Sequence, residues 1–296
     1  MQITFLGTSS MVPTKERNQI AVFLSYGSDG ILFDCGEGTQ RQFKIAGISL
    51  TKVTKILISH WHGDHVLGLP GLIQSLSSMD YSGKLEIFGP TGTKKRMEKM
   101  FETFVFDKRF DFVVREVKSG IFFENEEFQI GAYQLEHGIE TIGYTFIEKD
   151  KRKIDMRKVR KFGIPEGPLL GKLQKGQRIE HNHKKIEPDD VTYIVSGKKI
   201  AYITDTVLCD SCYTVAQDSD LLICEATYSS KLVDKSEEYG HMTAKQAAQI
   251  ANKSNVKQLV LIHFSARYKN TQELEEDARD IFDNVICAKD FMKLEL

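Results

Sequence analysis

The sequence lacks the features that mark membrane, secreted and fibrous proteins. Its 296 residues contain no uncharged apolar run close to the ~18 residues that are needed to span a bilayer. The first seven residues carry neither a basic region nor a long apolar stretch, so we expect no secretory signal, no membrane association and a cytoplasmic location. A composition of 41% hydrophobic and 27% charged residues excludes collagen, coiled coil and wholesale disorder.

The chain also contains few cysteines and has almost no net charge. The chain has five cysteines, and this odd number argues against a disulfide framework when no signal peptide is predicted. Cys209 and Cys212 form a lone Cys-x-x-Cys pair; a zinc ribbon needs a second such pair, so we assign these two thiols no chemistry. Forty Lys and Arg residues against 41 Asp and Glu residues give a net charge of −1, so any polyanion must bind to a local basic patch.

Short apolar segments alternate with helical ones along the chain. The helix candidates have apolar residues at helical spacing and cover residues 91–104, 243–251 and 272–282. The strand candidates are rich in β-branched or aromatic residues and are bounded by Gly, Asp, Ser or Lys. They cover residues 3–6, 20–23, 31–33, 53–58, 85–88, 128–135, 143–147, 200–203, 221–224 and 259–262. The alternation predicts one α/β domain over residues 1–296, built from sheet and helix layers.

One segment differs from the rest of the chain in its charge and in its turn-forming residues. Residues 149–161 contain eight cationic and two acidic side chains, and residues 163–176 contain two of the six prolines and four glycines. Because Pro and Gly are unfavourable inside helices and strands, we interpret residues 149–178 as a flexible arm that protrudes from the domain. The arm is either a solvated basic loop or a patch that binds a polyanion.

The strongest chemical signal is the hexapeptide His-Trp-His-Gly-Asp-His that begins at His60 and directly follows an apolar strand candidate. In an extended chain His60 and His62 point the same way. Gly63 permits a sharp turn, which lets Asp64 and His65 face the same pocket from another direction. Four donors within six residues are more than one tetrahedral zinc takes from one segment, so the spacing suits two metals that share a site. The alternative, a set of surface histidines, is disfavoured at the end of a buried strand.

Four further polar residues each end an apolar run, namely His137, Asp205, Glu225 and His263. In α/β sheets, ligand sites gather at the carboxyl ends of strands. Each of these residues, taken singly, could be a satisfied core or capping group. Taken with the hexapeptide, their shared placement predicts convergence on one pocket, where imidazole and carboxylate groups would bind zinc or a similar divalent cation.

The pattern His-x-His-x-Asp-His at a strand end, with later His, Asp and His residues, resembles the metallo-β-lactamase superfamily over nearly the whole chain. The resemblance implies an α/β fold of four layers, an αββα sandwich, with two Zn²⁺ ions per subunit along one edge of the two sheets. It implies these ligands: His60, His62 and His137 for one zinc, Asp64, His65 and His263 for the other, and Asp205 as the bridge between them.

Several motifs narrow the resemblance to one family of this superfamily, ribonuclease Z, whose members process the 3′ end of tRNA. Residues 13–18, Pro-Thr-Lys-Glu-Arg-Asn, resemble its Pro-x-Lys-x-Arg-Asn loop. Residues 224–227 and 241–243 resemble its His-Glu-Ala-Thr and His-Ser-Thr motifs, although Cys224 stands in place of His and Met242 in place of Ser. The basic Gly/Pro-rich arm resembles the flexible exosite of the family.

The resemblance implies a zinc-dependent endoribonuclease that removes the 3′ trailer from precursor tRNA, leaving a 3′ hydroxyl on the tRNA and a 5′ phosphate on the trailer. Asp64 would orient the attacking water and accept its proton. His241 would protonate the leaving 3′ oxygen, and Glu225 would fix and polarise that imidazole. The resemblance also implies a homodimer in which the arm of one subunit presents substrate to the other. The implied substrate contacts are Lys15, Arg17, Asn18 and Arg267 near the cleavage site, and Lys151, Arg152, Lys153, Arg157, Lys158, Arg160 and Lys161 on the arm.

Three other functions stay open at this stage, and the first is a metallo-β-lactamase-fold hydrolase of small phosphodiesters or esters. The second is a flavodiiron-like redox protein, which would need an acidic residue at position 62 and an attached flavin domain. His62 and the chain length argue against it, so we expect no nucleotide or flavin cofactor. The third, a catalytically silent RNA-binding module, is disfavoured by the complete set of candidate ligands.

The identity of the metal also stays open, because Mn²⁺ or Fe²⁺ could bind to the same nitrogen and oxygen ligands as zinc.

Overall fold

The computed structural model describes residues 1–105 and 107–296, which divide into two compact units. The first unit comprises Met1–Glu124, Ile130–Phe146 and Lys199–Leu296, and the second comprises Asn125–Gln129 and Ile147–Lys198. Residues 149–178, which we interpret as an arm, fall within the second unit. Within the two described ranges, no helix is both long and apolar enough to cross a membrane.

Strands and helices alternate along most of the chain. The strands are β1 (Gln2–Gly7), β2 (Ala21–Tyr26), β3 (Asp29–Phe33), β4 (Lys55–Leu57), β5 (Leu85–Gly89), β6 (Phe112–Glu116), β7 (Gly120–Glu124), β8 (Phe128–Leu135), β9 (Thr141–Glu148), β10 (Lys151–Ile154), β11 (Ile179–His181), β12 (Lys184–Ile186), β13 (Thr192–Val195), β14 (Lys199–Ile203), β15 (Leu221–Glu225), β16 (Leu259–Ile262), β17 (Val285–Cys287) and β18 (Lys293–Glu295). The helices are α1 (Thr39–Ile45), α2 (Gly63–Val66), α3 (Leu69–Ser78), α4 (Thr93–Thr103), α5 (Met156–Lys161), α6 (Pro168–Gln174), α7 (Pro188–Val191), α8 (Asp210–Ala216), α9 (Val233–Glu238), α10 (Ala244–Lys253) and α11 (Gln272–Arg279).

Two seven-stranded sheets carry most of the strands. One sheet has the order β18-β1-β2-β3-β4-β5-β6, with antiparallel pairing from β18 to β3 and parallel pairing from β3 to β6. The other has the order β17-β16-β15-β14-β9-β8-β7, and its strands β14 to β17 are parallel neighbours. Parallel neighbours place their carboxyl ends at the same edge, which is where ligand sites form in such sheets.

The two sheets face each other through aromatic side chains. The ring of Phe33 in β3 lies 5.0 Å from the ring of Tyr202 in β14. The hydroxyl of Tyr144 in β9 donates to the carbonyl oxygen of Ile58, just beyond β4, at 2.7 Å. All four side chains are almost completely buried. This layer of large rings forms the core between the sheets, and each buried hydroxyl has a hydrogen-bond partner, as the cost of burying a polar group requires.

Helices cover the outer face of each sheet. In β14, Ala201 and Ile203 belong to one buried apolar cluster with Ala247 and Ala248 of α10, whereas the intervening Tyr202 faces the other sheet. This alternation is the period of two that side chains follow along a strand. Helices α1, α3 and α4 cover the other sheet with a second buried cluster. Together these layers confirm the predicted α/β architecture of a four-layer αββα sandwich.

All ten predicted strands and all three predicted helices are present, with bounds that shift by a few residues. Thr243 caps α10: its hydroxyl accepts from the Gln246 backbone at 3.2 Å, and the Gln246 side chain accepts from the Thr243 backbone at 2.8 Å. The sequence analysis missed the edge strands β6 and β7, whose residues are exposed or only partly buried.

The second unit contains regular structure where a flexible Gly/Pro-rich segment is expected. Pro168 is the first residue of α6, a position that tolerates Pro because the helix needs no donor there. Gly163 and Gly176 follow α5 and α6 with φ values of 65° and 77°, in the left-handed region that glycine adopts without strain. Pro and Gly therefore separate short elements instead of preventing them. The elements share a small core of Val159, Ile164, Leu173, Ile179, Ile186 and Val191.

Candidate metal centre

The seven predicted metal ligands meet at the carboxyl ends of the central strands. His60 follows β4, and His62 directly precedes α2, which contains Asp64 and His65 in its single turn. The other ligands follow strands of the second sheet by one or two residues: His137 after β8, Asp205 after β14 and His263 after β16. Because the two sheets face each other, their strand ends bring the two sets of ligands to one pocket.

The first group of ligands contains three histidines and one carboxylate. The Nδ1 atom of His62 lies 3.0 Å from Nε2 of His60 and 3.2 Å from Nε2 of His137. The Oδ2 atom of Asp205 lies 3.5 Å from Nε2 of His60 and 3.9 Å from Nε2 of His137. These four donor atoms are all within 4.8 Å of one another, which is the spacing of ligands around one ion.

The second group shares Asp205 with the first. The Oδ1 atom of Asp205 lies 3.4 Å from Nε2 of His65 and 3.2 Å from Nε2 of His263. The Oδ2 atom of Asp64 lies 3.5 Å and 3.4 Å from the same two nitrogens. One carboxylate thus presents one oxygen to each group, which is the arrangement of a bridging ligand between two cations.

Two atoms of the second group are buried without a hydrogen bond. Among the described residues, Oδ1 of Asp64 and Nε2 of His65 have no hydrogen-bond partner. Unpaired buried polar atoms are rare in folded proteins and are costly unless a water or an ion satisfies them. The nitrogen and oxygen donors, their spacing and these orphaned atoms all fit divalent metal ions.

The histidines are held so that four of the five present the same nitrogen to the pocket. The Nδ1 atoms of His137 and His65 donate to the Gly240 carbonyl at 2.8 Å and to the Asp34 carboxylate at 2.9 Å. The Nδ1 atoms of His263 and His60 have hydroxyl partners at 3.0 Å, Thr227 and Ser59 respectively. A proton fixed on Nδ1 leaves the Nε2 lone pair for a cation, as is typical of metal-binding histidines.

Asp34 is the residue with the largest role in the pocket that the sequence interpretation missed. Its Oδ2 atom accepts from His65 at 2.9 Å, from the Ser59 hydroxyl at 2.9 Å and from the Tyr202 hydroxyl at 2.8 Å. Its Oδ1 atom accepts from the Ser59 backbone at 2.7 Å. The signal was present in the sequence, since Asp34 ends the apolar run of β3 just as the predicted ligands end theirs.

Three residues at the site adopt left-handed backbone conformations. Asp34, Asp205 and His263 have φ values of 55°, 46° and 60°. Non-glycine residues are uncommon in this region, and such strain persists where surrounding contacts hold the chain and where a side chain must be aimed. The strained residues here are two of the predicted ligands, Asp205 and His263, and Asp34, the carboxylate that contacts a third predicted ligand, His65.

The electrostatics of the pocket favour a cation. Burial lowers the pKa of His60 well below its ordinary value, so this imidazole is neutral and keeps a lone pair. Burial also acts to lower the pKa of His65. The negative charges of the nearby carboxylates, chiefly Asp205, have the larger effect and raise this pKa above its ordinary value. Burial favours the protonated form of Asp205, but the surrounding imidazoles lower its pKa well below the ordinary value. The carboxylates stay ionised and attract positive charge.

His241 and Glu225 form a pair on the wall of the same pocket. The Nδ1 atom of His241 lies 3.2 Å from Oε2 of Glu225, and its ring centroid lies 5.3 Å from that of His137. Glu225 is fully buried and accepts from the Thr206 backbone at 2.7 Å and from the Thr227 hydroxyl at 2.6 Å. Burial acts to lower the pKa of His241, but the negative charge of Glu225 has the larger effect and raises this pKa to about 9. The imidazole is therefore protonated at neutral pH.

The two departures from the motif lie outside the pocket. Cys224 and Glu225 are successive residues of β15, so their side chains point to opposite faces of the sheet. Glu225 reaches His241, whereas Cys224 packs in the apolar cluster beneath the helices with Met242. Apolar packing explains why sulfur-containing side chains are accommodated at both positions.

The residues that we expect to contact substrate are placed in different ways. Lys15 and Arg267 are exposed, and the Arg267 guanidinium lies 5.2 Å from the ring centroid of Tyr228. Arg17 is buried, and its Nη2 atom donates to the Tyr268 carbonyl at 2.7 Å. The Asn18 amide donates to the Glu37 carbonyl at 2.8 Å. Arg17 and Asn18 therefore use their side chains to hold the 13–18 loop.

The predicted cations of the second unit are mostly exposed. Arg152 is half-buried and its guanidinium donates to the Thr192 hydroxyl at 2.6 Å and to the Asp189 carboxylate. The exposed cations are Lys151, Lys153, Arg157, Lys158, Arg160 and Lys161. Residues 147–198 contain 14 Lys or Arg and eight Asp or Glu residues, a net charge of +6 in a chain whose total is −1.

Comparison with known proteins places the chain in a family. A family model described as beta-lactamase superfamily domain matches residues 172–264, and one described as anti-Pycsar protein Apyc1 matches residues 1–151. The chain is 41% identical to a ribonuclease Z of Archaeoglobus fulgidus and 39% identical to one of Methanothermobacter thermautotrophicus, over 100% of this chain and 97% of each relative. The crystal structure of human tRNase Z, short form, superposes with a TM-score of 0.74 at 30% identity, covering 100% of this chain and 99% of that one.

These full-length relatives and the beta-lactamase superfamily model agree with the metallo-β-lactamase fold. The chain belongs to the ribonuclease Z family.

Proposed function

We propose that the chain is an endoribonuclease that removes the 3′ trailer from precursor tRNA, leaving a 3′ hydroxyl on the tRNA and a 5′ phosphate on the trailer. The observation that carries this proposal is the pairing of His241 with buried Glu225 beside a seven-ligand pocket. A pocket for two cations suits phosphoryl displacement. A protonated histidine at its wall adds the acid that an alkoxide leaving group needs.

The proposed cofactor is a pair of Zn²⁺ ions per subunit. One ion would be held by His60, His62 and His137, and the other by Asp64, His65 and His263. Asp205 would bind both ions. When bound, such a pair supplies Lewis acidity and a water-derived nucleophile near neutral pH. Imidazole and carboxylate ligands suit zinc, and Mn²⁺ and Fe²⁺ are the competitors that metal analysis of the purified protein would distinguish.

The chain's own residues would move the protons. Asp64 would orient the attacking water and accept its proton, because one of its oxygens is buried without a hydrogen bond. His241 would give its proton from Nε2 to the leaving 3′ oxygen, because Glu225 engages its Nδ1 atom. Glu225 in turn is fixed by Thr206 and Thr227, so it acts as a positioning residue for the imidazole.

The basic second unit would bind the body of the tRNA. Its exposed cations on β10 and α5 would contact backbone phosphates, which are the same in every tRNA. Structured RNA is bound mainly through its shape and phosphates, so one surface can serve many tRNA sequences. The predicted homodimer, in which this unit presents substrate to the partner's pocket, and the cytoplasmic location where such a substrate would be met remain parts of this proposal.

Cleavage of one end-labelled precursor tRNA tests the proposal. The expected result is a single cut at the 3′ end of the tRNA body, mapped to the nucleotide, which a chelator abolishes and added Zn²⁺ restores. End-group analysis should find a 3′ hydroxyl on the tRNA fragment. A protein that holds two metal ions and hydrolyses a small phosphodiester, but leaves the precursor intact at any metal concentration, would contradict the tRNA assignment and favour the small-substrate hydrolase.

A further inference from the structure

Cys209 and Cys212, which the sequence interpretation left without chemistry, lie next to the metal pocket. Their sulfur atoms are 3.5 Å apart, and both thiols are reduced. Cys209 directly precedes α8 and is half-buried, whereas Cys212 lies within the helix and is fully buried. Disulfides need a sulfur separation of ~2.05 Å, so the two sulfur atoms must approach each other by about 1.5 Å for this pair to close.

The two thiols differ in reactivity in a way that suits disulfide formation. The hydrogen bond from Cys212 lowers the pKa of Cys209 to about 6, so Cys209 is largely a thiolate at neutral pH. The same contact, together with burial, raises the pKa of Cys212. Burial also raises the pKa of Cys287 to about 12 and that of Cys35 further still, which leaves those thiols unreactive. A half-exposed thiolate beside a second thiol is the arrangement of a redox-active pair.

The pair is connected to the metal pocket through a short loop. Residues 205–209 run from the bridging ligand Asp205 to Cys209, and the Cys209 sulfur lies 3.9 Å from the Thr206 hydroxyl. That hydroxyl accepts from the Glu136 backbone and also contacts its carbonyl oxygen, both at 3.1 Å. The backbone of Val207 donates to the same carbonyl at 2.9 Å. Glu136 directly precedes the ligand His137, so the loop joins two ligands of one metal group.

We propose that Cys209 and Cys212 form a reversible intramolecular disulfide, and that closing it weakens divalent-cation binding through the loop that carries Asp205. Cys212 is anchored in a close-packed core, so Cys209 must make most of the ~1.5 Å movement that the bond requires. Because Cys209 contacts Thr206, which in turn contacts Glu136, we expect this movement to shift the loop of residues 205–209 relative to His137. Metal sites tolerate such shifts poorly, because neighbouring contacts orient the ligands.

The oxidant in this proposal is a low-molecular-weight disulfide such as glutathione disulfide. The Cys209 thiolate attacks one sulfur of the oxidant, forming a mixed disulfide and releasing one thiolate. Cys212 then attacks the Cys209 sulfur, and its proton goes to the second leaving thiolate. The protein loses two electrons and the proton of Cys212, and the first thiolate to leave takes its proton from water, so the oxidant ends as two thiols.

The described residues provide no third ligand that would make this pair a metal site. The groups of residues that could hold an ion all consist of histidines and carboxylates, and neither cysteine belongs to any of them. A structural zinc site needs four protein ligands, so the paired thiols favour redox chemistry over a second, sulfur-rich metal centre.

The test equilibrates the full-length protein with glutathione buffers of stepped redox potential and then alkylates the remaining thiols. Peptide mass spectrometry should find one disulfide, between Cys209 and Cys212. Zinc affinity, measured by competition with a chromophoric chelator, should fall roughly tenfold on oxidation and recover on reduction. The Cys209→Ser variant should lose both responses, and the Cys287→Ser variant, which changes a buried thiol elsewhere, should keep both.

Two outcomes would overturn the proposal. One is a protein whose thiols stay alkylatable in every buffer, or whose disulfide involves other cysteines. The other is a disulfide between Cys209 and Cys212 that leaves zinc affinity the same in the oxidised and reduced protein. Thermal unfolding of each variant checks that it is folded before the titration. The readouts are thiol state and metal affinity, so the result does not depend on whether the chain cleaves tRNA.

Discussion

The metal pocket and the basic segment of residues 147–198 use charge in opposite ways. In the pocket, every predicted ligand is at most half-exposed, and most of them are fixed by a second polar group such as Asp34 or Thr227. On the basic segment, six of the seven predicted cations are exposed. Buried charges act at fixed positions and strongly, whereas exposed cations act through their number and are weakened by salt. Catalysis needs buried charges at fixed positions, whereas binding of a large polyanion needs only a group of exposed cations.

The largest effect is expected from Asp205→Asn, which removes the charge that both ligand groups share while keeping the side-chain size. Loss of several kcal/mol of charge stabilisation predicts a fall in activity of roughly 10³-fold or more, on precursor tRNA and on a small phosphodiester alike. Elemental analysis of the purified variant should show reduced metal content. The exposed Asp234→Asn serves as the matched control, and full activity of Asp205→Asn would remove the pocket from the mechanism.

The second-largest effect is expected from a variant that removes the proposed proton donor, His241, and keeps the seven predicted metal ligands. His241→Ala should slow tRNA cleavage by roughly 10²–10⁴-fold, because the leaving 3′ oxygen then lacks a proton donor. Hydrolysis of a nitrophenyl phosphodiester should change much less, since nitrophenolate leaves without protonation. Rates on both substrates, with metal content measured in parallel, provide the comparison. An equal loss on both substrates would assign His241 to the metal site instead of to proton transfer.

The Asp34→Asn variant tests whether metal affinity depends on residues that hydrogen-bond to the predicted ligands. The amide nitrogen cannot accept, so the variant loses either the bond from the Ser59 backbone or the bonds from His65, the Ser59 hydroxyl and Tyr202. Removal of such a partner predicts a metal affinity 10–100-fold weaker, which chelator competition can measure. Restoration of activity by excess zinc would support this positioning role, whereas unaltered affinity would show that His65 is oriented without Asp34.

The smallest effect on chemistry is expected from the basic segment. Replacing Arg157, Lys158, Arg160 and Lys161 by Gln should raise the KM for precursor tRNA roughly tenfold or more and leave hydrolysis of the small phosphodiester unchanged. The slope of log affinity against log salt should become shallower by roughly 0.7–0.9 for each phosphate that the variant no longer neutralises.

A matched quadruple Gln variant controls for net charge. It changes exposed lysines of the first unit, namely Lys44, Lys52, Lys84 and Lys118. This variant should bind precursor tRNA with nearly the wild-type salt slope. If the two quadruple variants behave alike, binding depends on total charge, and the distinction between the basic segment and the rest of the surface disappears.

The fold was predictable where residues are buried on a regular period. Strands such as β14 and β16 are short apolar runs ended by a polar residue, and both were found from the sequence together with the ligands that follow them. Edge strands β6 and β7 each contain three successive apolar residues but were not found, and none of their residues is fully buried. The elements of the second unit were hidden because Pro168 and the flanking glycines suggest a break, although they mark element ends.

The sequence by itself determined the chemistry that is available: five histidines and two carboxylates in the spacing of a metal-binding family, and a cluster of cations in one segment. Only the tertiary structure decided which atoms do what. It turned Arg17 inward, recruited Asp34 behind His65, and brought two cysteine sulfurs within 3.5 Å beside the loop of Asp205. The physical reason is that residue type sets the possible interactions, whereas burial, distance and the competition for hydrogen-bond partners depend on residues far apart in the chain.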